Sequence, residues 1–298
     1  PDEIVGHIPP DLTACTVEKV AINAVMAGCK PEYLPVVLAA VEAACIDEFN
    51  MHGLLATTYF SSPIVLVNGP IAEKIGMNSG GNALGQGNRA NATIGRALQL
   101  VIRNVGGGKP GGVDRATLGY PGKYTFCFAE REHDSPWESL AVQKGYGPEE
   151  SVVTLLSGGG VHGVVDQLSR TPEGLAHSIA QTLLSIAHYK LAIVTDALLV
   201  ISPEHARVFK NGGWSKQQLI DQLQADTTRP GSDIVRGAGG NAEGLPAQFG
   251  GATLPKFRPG GLTVVHAGGT AGMFSAVIGG WVNSGARGSV PVSVKIRS

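Results

Sequence analysis

Two apolar runs of strand length end in glycine and small residues before the chain resumes. Val152–Leu156 leads into Ser157–Gly163, and Leu262–Val265 leads into His266–Gly272. Val20–Met26, followed by Ala27–Lys30, is a weaker third copy. The pattern predicts a strand that turns on glycine into a helix, the place in an α/β sheet where free backbone N–H groups and a helix dipole can hold an anion. A second pattern repeats at longer range. Ile64–Pro70 matches Ala197–Pro203, and downstream Lys74 meets Arg207, Asn78 meets Asn211 and Gly80 meets Gly213. Each copy reads as a strand, a proline where a helix begins, and an Asn/Gly stop.

Apolar helical periodicity fills the intervals before these strands, from Lys30-Pro31-Glu32 to Cys45 and from Thr171-Pro172-Glu173 to Tyr189. The order predicts an α/β fold of two pseudo-repeated strand-helix units with parallel or mixed sheets and a cleft between them. Residues 1–150 form the first unit and 151–298 the second. Two irregular stretches interrupt the regular pattern, 106–150 in the first unit and Thr227–Gly261 in the second, and long inserted loops more often wall a site than link elements passively.

Composition narrows the class. The 298 residues include 42 glycines, 6% aromatics and 16% charged residues, with a net charge of −1, so neither nucleic acid nor a membrane surface is an expected partner. Cys15, Cys29, Cys45 and Cys127 are widely spaced without a C-x-x-C, which predicts a reduced, cytoplasmic chain. The opening Pro1-Asp2-Glu3-Ile4 has no signal-peptide pattern. Walker, nucleophile-elbow and H-E-x-x-H motifs are absent, and Gly158–Gly163 lacks the later acidic residue of a dinucleotide fold.

Candidate chemistry centres on Cys29. Placed after a strand, beside Lys30 and before a proline-initiated helix, its thiol is expected to have a lowered pKa and to act as a nucleophile, with Glu32 or His162 moving the proton and Lys123 as electrophilic partner. Between Asn78 and Arg96 donors crowd together with scarcely any acid. Asn78, Arg89, Asn91 and Arg96 are therefore candidate substrate ligands, together with the turns at Gly159, Gly160, Gly268 and Gly269. The expected ligand is a small anionic organic molecule. No cofactor is predicted, the alternative being a metal on His162 and His266.

Three blocks carry a resemblance: Val17–Val37, Asn88–Arg96 and Pro121–Glu130. With them the chain resembles a bacterial family associated with UGSC-type (seleno)proteins. The resemblance implies that a cysteine or selenocysteine centre accompanies a larger α/β protein. This chain has no UGSC or CGSC tetrad, so that centre would lie on a partner subunit. Three functions follow as expectations: a lyase-like or oxidoreductase-like enzyme using thiol-assisted addition, elimination or reduction; a metal-assisted hydro-lyase or hydrolase; and a non-catalytic ligand-binding subunit. The apolar tail Val290–Val294 and the glycine-rich loops add the expectation of a homo-oligomer.

Overall fold

The computed structural model describes residues 1–283 and 288–297. In chain order its elements are β1 (Ile4–Ile8), β2 (Thr13–Thr16), α1 (Val17–Ala27), α2 (Leu34–Ala44), α3 (Met51–Ala56), β3 (Ser62–Asn68), α4 (Pro70–Lys74), α5 (Arg89–Asn104), β4 (Cys127–Ala129), α6 (Leu140–Gln143), β5 (Val152–Gly158), β6 (Val161–Val165), α7 (Pro172–Leu184), β7 (Thr195–Ile201), α8 (Pro203–Asn211), α9 (Lys216–Asp226), β8 (Arg229–Pro230), β9 (Thr253–Leu254), β10 (Leu262–His266), β11 (Phe274–Val282) and β12 (Val292–Lys295).

The strands at the centre are apolar on both faces, and both faces are buried. One sheet has the order β12-β5-β3-β4 and the other β10-β7-β11-β6. Ile64, Leu66, Phe128 and Leu156 of the first sheet pack against Leu198, Val200, Val265 and Ile278 of the second. The alternate residues face helices: Val65, Val67 and Leu155 share one buried core with α1, α2 and α5, and Leu199, Val264 and Val277 share another with α7, α8 and α9. Period-two alternation thus places two sheets between two helical layers.

Both sheets use the same pairing pattern. β3 pairs parallel with β4 and antiparallel with β5, as β7 pairs parallel with β10 and antiparallel with β11. The fourth strands are exchanged: β6 follows β5 but pairs with β11, while β12 follows β11 but pairs with β5. Gly159–Gly160 carries the chain from one sheet to the other, and the Gly159 N–H donates to the Gly279 carbonyl at 2.9 Å. The tail Val292–Lys295 is itself a strand, paired antiparallel with β5 at the edge of its sheet.

The facing residues set the register between the matched segments. Ile64 faces inward as Leu198 does, one position from the sequence match with Ala197, and a one-residue slip reverses every face. The extra residue before Pro70 is Gly69. Its φ of 87° and its close approach to the Glu150 carbonyl both exclude a side chain.

Of the three glycine turns only Ala27–Lys30 runs into a helix, through Pro31–Tyr33 into α2, and it leaves a helix rather than a strand. Val20–Met26 lies inside α1, where Thr16 caps the Lys19 N–H at 3.3 Å and buried Val20, Asn23 and Ala24 follow helical spacing, overriding the strand-like composition. After Gly158 and after Gly268 the chain enters β6 and β11 instead, because Val161–Val165 and Phe274–Val282 complete an antiparallel ladder. The strand-to-helix turns that do form are at Gly69-Pro70 and Ser202-Pro203. Among the described residues no helix is long and apolar enough to cross a membrane.

Candidate functional site

Helix α5 begins on Asn88, whose side chain accepts the Asn91 N–H at 3.0 Å. Ala90, Ile94, Ala97, Leu98 and Val101 turn into the core, which leaves Arg96, Gln99 and Arg103, spaced i, i+3, i+7, on one opposite face. Residues 108–124 pass in front of that face. Between them lies a cavity of about 560 Å³, bounded by Leu55, Leu100 and Ile102 on its apolar side. That size is typical of small-molecule sites.

Polar groups enter this cavity from three directions. Lys123 reaches it from the inserted segment with its Nζ 3.1 Å from Asp114 Oδ1, and both side chains are mostly buried. Tyr120 and Ser62 share a 2.7 Å hydroxyl contact, and the Tyr120 hydroxyl donates to the Gly158 carbonyl at 2.8 Å. Burial pushes the Tyr120 phenol up, so it stays neutral. Ser61 is 1% exposed, lines the cavity and has no partner for its hydroxyl. Arg96 and Arg103 have no ion-pair partner among the described residues. Two uncompensated guanidinium forks, a lysine, hydroxyls and an apolar wall suit an anion with an apolar body.

The other predicted residues scatter. Cys29 follows the carboxyl end of α1 rather than a strand, with Gly28 as the left-handed cap (φ 92°) and its own N–H donating to the Ala24 carbonyl. A helix carboxyl end opposes a thiolate, and burial pushes the Cys29 thiol up despite a Thr93 hydrogen bond and nearby Arg89. The expected lowered pKa is therefore reversed. Glu32 is exposed and pairs with Lys30 at 3.7 Å. Arg89 spends its Nε on the Gly28 carbonyl at 2.9 Å, fastening α5 to α1.

Asn91 is buried and has a structural role. Its side chain accepts from the Asn78 N–H at 3.0 Å and donates to the Asn78 carbonyl at 2.8 Å, holding the 76–88 loop. That loop in turn meets the turn at Gly268 and Gly269: the Gly268 N–H donates to the Ser79 carbonyl, and Gly269 packs on Gly81. Gly159 and Gly160 serve the crossing between sheets and do not touch the cavity. Of the predicted substrate and catalytic residues, the cavity gathers Arg96 and Lys123.

His162 and His266 are not brought together. They lie on β6 and β10, the two outer strands of one sheet, three strand spacings apart and two residues out of register. His162 is exposed, whereas His266 is buried at the end of β10 and bonds to the backbone of Arg131. Among the described residues no three His, Cys, Asp or Glu side chains gather where one metal ion could be held.

Sequence reasoning missed Arg103, Tyr120 and the Ser61-Ser62 pair. Arg103 was legible as the i+7 partner of Arg96, but the hydroxyls carry no pattern of their own. It also missed the buried His205, whose Nδ1 accepts from Ser275 at 2.7 Å while its Nε2 donates to the Asp166 carbonyl at 3.0 Å. No protein-family model matches the chain, and no curated protein matches it significantly.

Proposed function

We propose that this chain binds a small amphipathic organic anion, a carboxylate or phosphate with an apolar body, in the cavity between α5 and residues 108–124. The observation that carries the reading is the pair of arginines, Arg96 and Arg103, set on one face of α5 without acidic partners among the described residues. Lys123 supplies a third cation, already shared with Asp114. Ligand binding is the activity assigned, and the cysteine-nucleophile reading is set aside because the Cys29 environment favours the thiol over the thiolate. The resemblance to the UGSC-associated family accords with this: a chain that holds ligand would complement a partner that carries the cysteine or selenocysteine centre.

The matching strand order of the two sheets supports a reading of two pseudo-repeats, whose halves meet at the carboxyl ends of β4 and β10. The test is isothermal calorimetry with benzoate, phenyl phosphate and benzyl alcohol as probes. Saturable binding of the two anions but not the alcohol, lost in Arg96→Glu and Arg103→Glu proteins of unchanged thermal stability, is expected. Equal affinity in the charge-reversed proteins, or no anion binding by the wild type, would overturn the assignment.

A further inference from the structure

A second recess lies at the opposite end of the sheets. The parallel pairs β3/β4 and β7/β10 end side by side there, and the Arg131 N–H joins them by donating to the His266 carbonyl at 2.7 Å. Beside that junction is a cleft of about 180 Å³ bordered by Asp134, Pro136, Pro203, Arg207, Lys210 and His266. Its volume is about a third of that of the α5 cavity, which limits it to a small ligand.

His266 is 2% exposed. Its Nδ1 lies 3.0 Å from the Arg131 carbonyl oxygen, which only accepts, so Nδ1 carries the proton and Nε2 keeps a lone pair. That Nε2 is buried without a hydrogen-bond partner among the described residues. Burial lowers the histidine's pKa, which keeps the ring neutral. Asp134 cannot serve Nε2, because its carboxylate, held ionised by Arg131 at 2.7 and 2.6 Å, only accepts and has no proton to give. On the outer rim Arg207 pairs with Glu204 at 3.3 Å, and Lys210 has no ion-pair partner among the described residues.

A lone pair rejects an anionic oxygen and accepts an O–H, whereas the rim attracts an anion. One ligand class satisfies both. We propose that this cleft is a second binding site, independent of the α5 cavity, for a small hydroxy-carboxylate whose carboxylate lies on Lys210 and Arg207 and whose hydroxyl donates to His266 Nε2. Among the described residues no group of three His, Cys, Asp or Glu side chains includes His266, which leaves a hydroxyl rather than a metal ion as the proposed partner.

The experiment uses the full chain with ¹⁵N-labelled histidine and matched probes: lactate and glycolate against propionate and acetate, which lack only the hydroxyl, with zinc chloride as a separate arm. Lactate and glycolate should shift the His266 Nε2 resonance saturably, and the acids without a hydroxyl should bind at least about tenfold more weakly, the worth of one hydrogen bond. Lys210→Glu should abolish the response, while Arg96→Glu and Arg103→Glu, in the other cavity, should leave it intact. The signal is assigned by its loss in His266→Gln. Should that protein not fold, calorimetry with the same probes on Lys210→Glu and Arg207→Glu, both exposed positions, discriminates equally well: each should lose lactate binding. Equal binding of lactate and propionate, a response that survives Lys210→Glu, silence toward all four acids, or stoichiometric zinc uptake at His266 would each overturn the proposal.

Discussion

The cavity at the amino ends of β3 and β4 and the cleft at the carboxyl ends of β4 and β10 both present cations, yet as the proposed sites they would select ligands by different physics. In the cavity the guanidinium groups of Arg96 and Arg103 have no ion-pair partner among the described residues, so net charge would do the selecting. In the cleft Arg131 and Asp134 neutralise each other, and the unfilled valence is a single neutral nitrogen on His266. The general expectation that ligands gather at the carboxyl ends of parallel strands finds the cleft. The larger space lies at the other end because the segment after α5 folds back over the amino ends, with β4 emerging from it to pair with β3.

The largest expected effect comes from the layer that holds the two ends at a fixed separation. Phe128 is fully buried between the sheets, so Phe128→Ala should cost about 3–5 kcal/mol and weaken binding at both ends together. Chemical denaturation measures the cost. A loss confined to one end would show that the sheets do not couple the two sites.

The next effect separates the ends. A hydrogen bond to a charged group is worth about 1.5–3 kcal/mol, so Arg103→Ala should weaken anion binding in the cavity roughly tenfold or more without moving the melting temperature by much. Calorimetry on the variant decides it. Unchanged affinity would shift the anion contact away from the α5 face.

A smaller effect should appear as pH dependence at the carboxyl end alone. Burial lowers the folded-state pKa of both His205 and His266 below the usual value of about 6.5. Above that value both rings are neutral in either state and cost nothing. As pH falls below it the unfolded chain takes up protons that the folded chain refuses, and stability declines. Melting curves between about pH 7 and pH 5 should show this slope, and His266→Gln should reduce it, leaving the part that His205 contributes. Anion binding in the cavity should hold over the same range, since no histidine lines it. A slope unchanged by the substitution would mean that His266 is not a source of the pH dependence.

How much of this was legible in the sequence depends on whether the signal is local. The strand-proline-helix segments at Pro70 and Pro203 were readable, because proline at a first helical position and apolar runs are local facts. The strand exchange was not. β6 and β12 look like any β-branched run, and only the vacant edges of β11 and β5 decide where they pair. Arg96 and Lys123 were found by residue type, whereas Asn91, which looked like a ligand, is used to brace Asn78. Lys190 gave no sequence signal. Its buried ammonium donates to the carbonyls of Val235, Ala238, Asn241 and Glu243, a nest that exists only once residues 235–243 are folded around it.

The smallest expected effect concerns Cys29, and it tests whether chemistry at the amino-terminal half belongs to a thiol or to the α5 cavity. The side chain is only partly buried, so alkylating reagents can approach it, but reactivity follows the thiolate fraction. The left-handed cap at Gly28 places Cys29 at the negative end of α1, and desolvation adds to that unfavourable field, so the thiolate should be scarcer than in an ordinary cysteine. Iodoacetamide at neutral pH, followed by peptide mass mapping, should therefore label Cys29 more slowly than an unstructured cysteine peptide. Cys29→Ser should leave anion binding in the cavity unchanged and move stability by less than about 1 kcal/mol, since a half-buried thiol gives up little when replaced by a hydroxyl that Thr93 can still meet. Rapid labelling of Cys29, protected by a bound anion, would restore the thiol as a reacting group and place it within reach of the ligand.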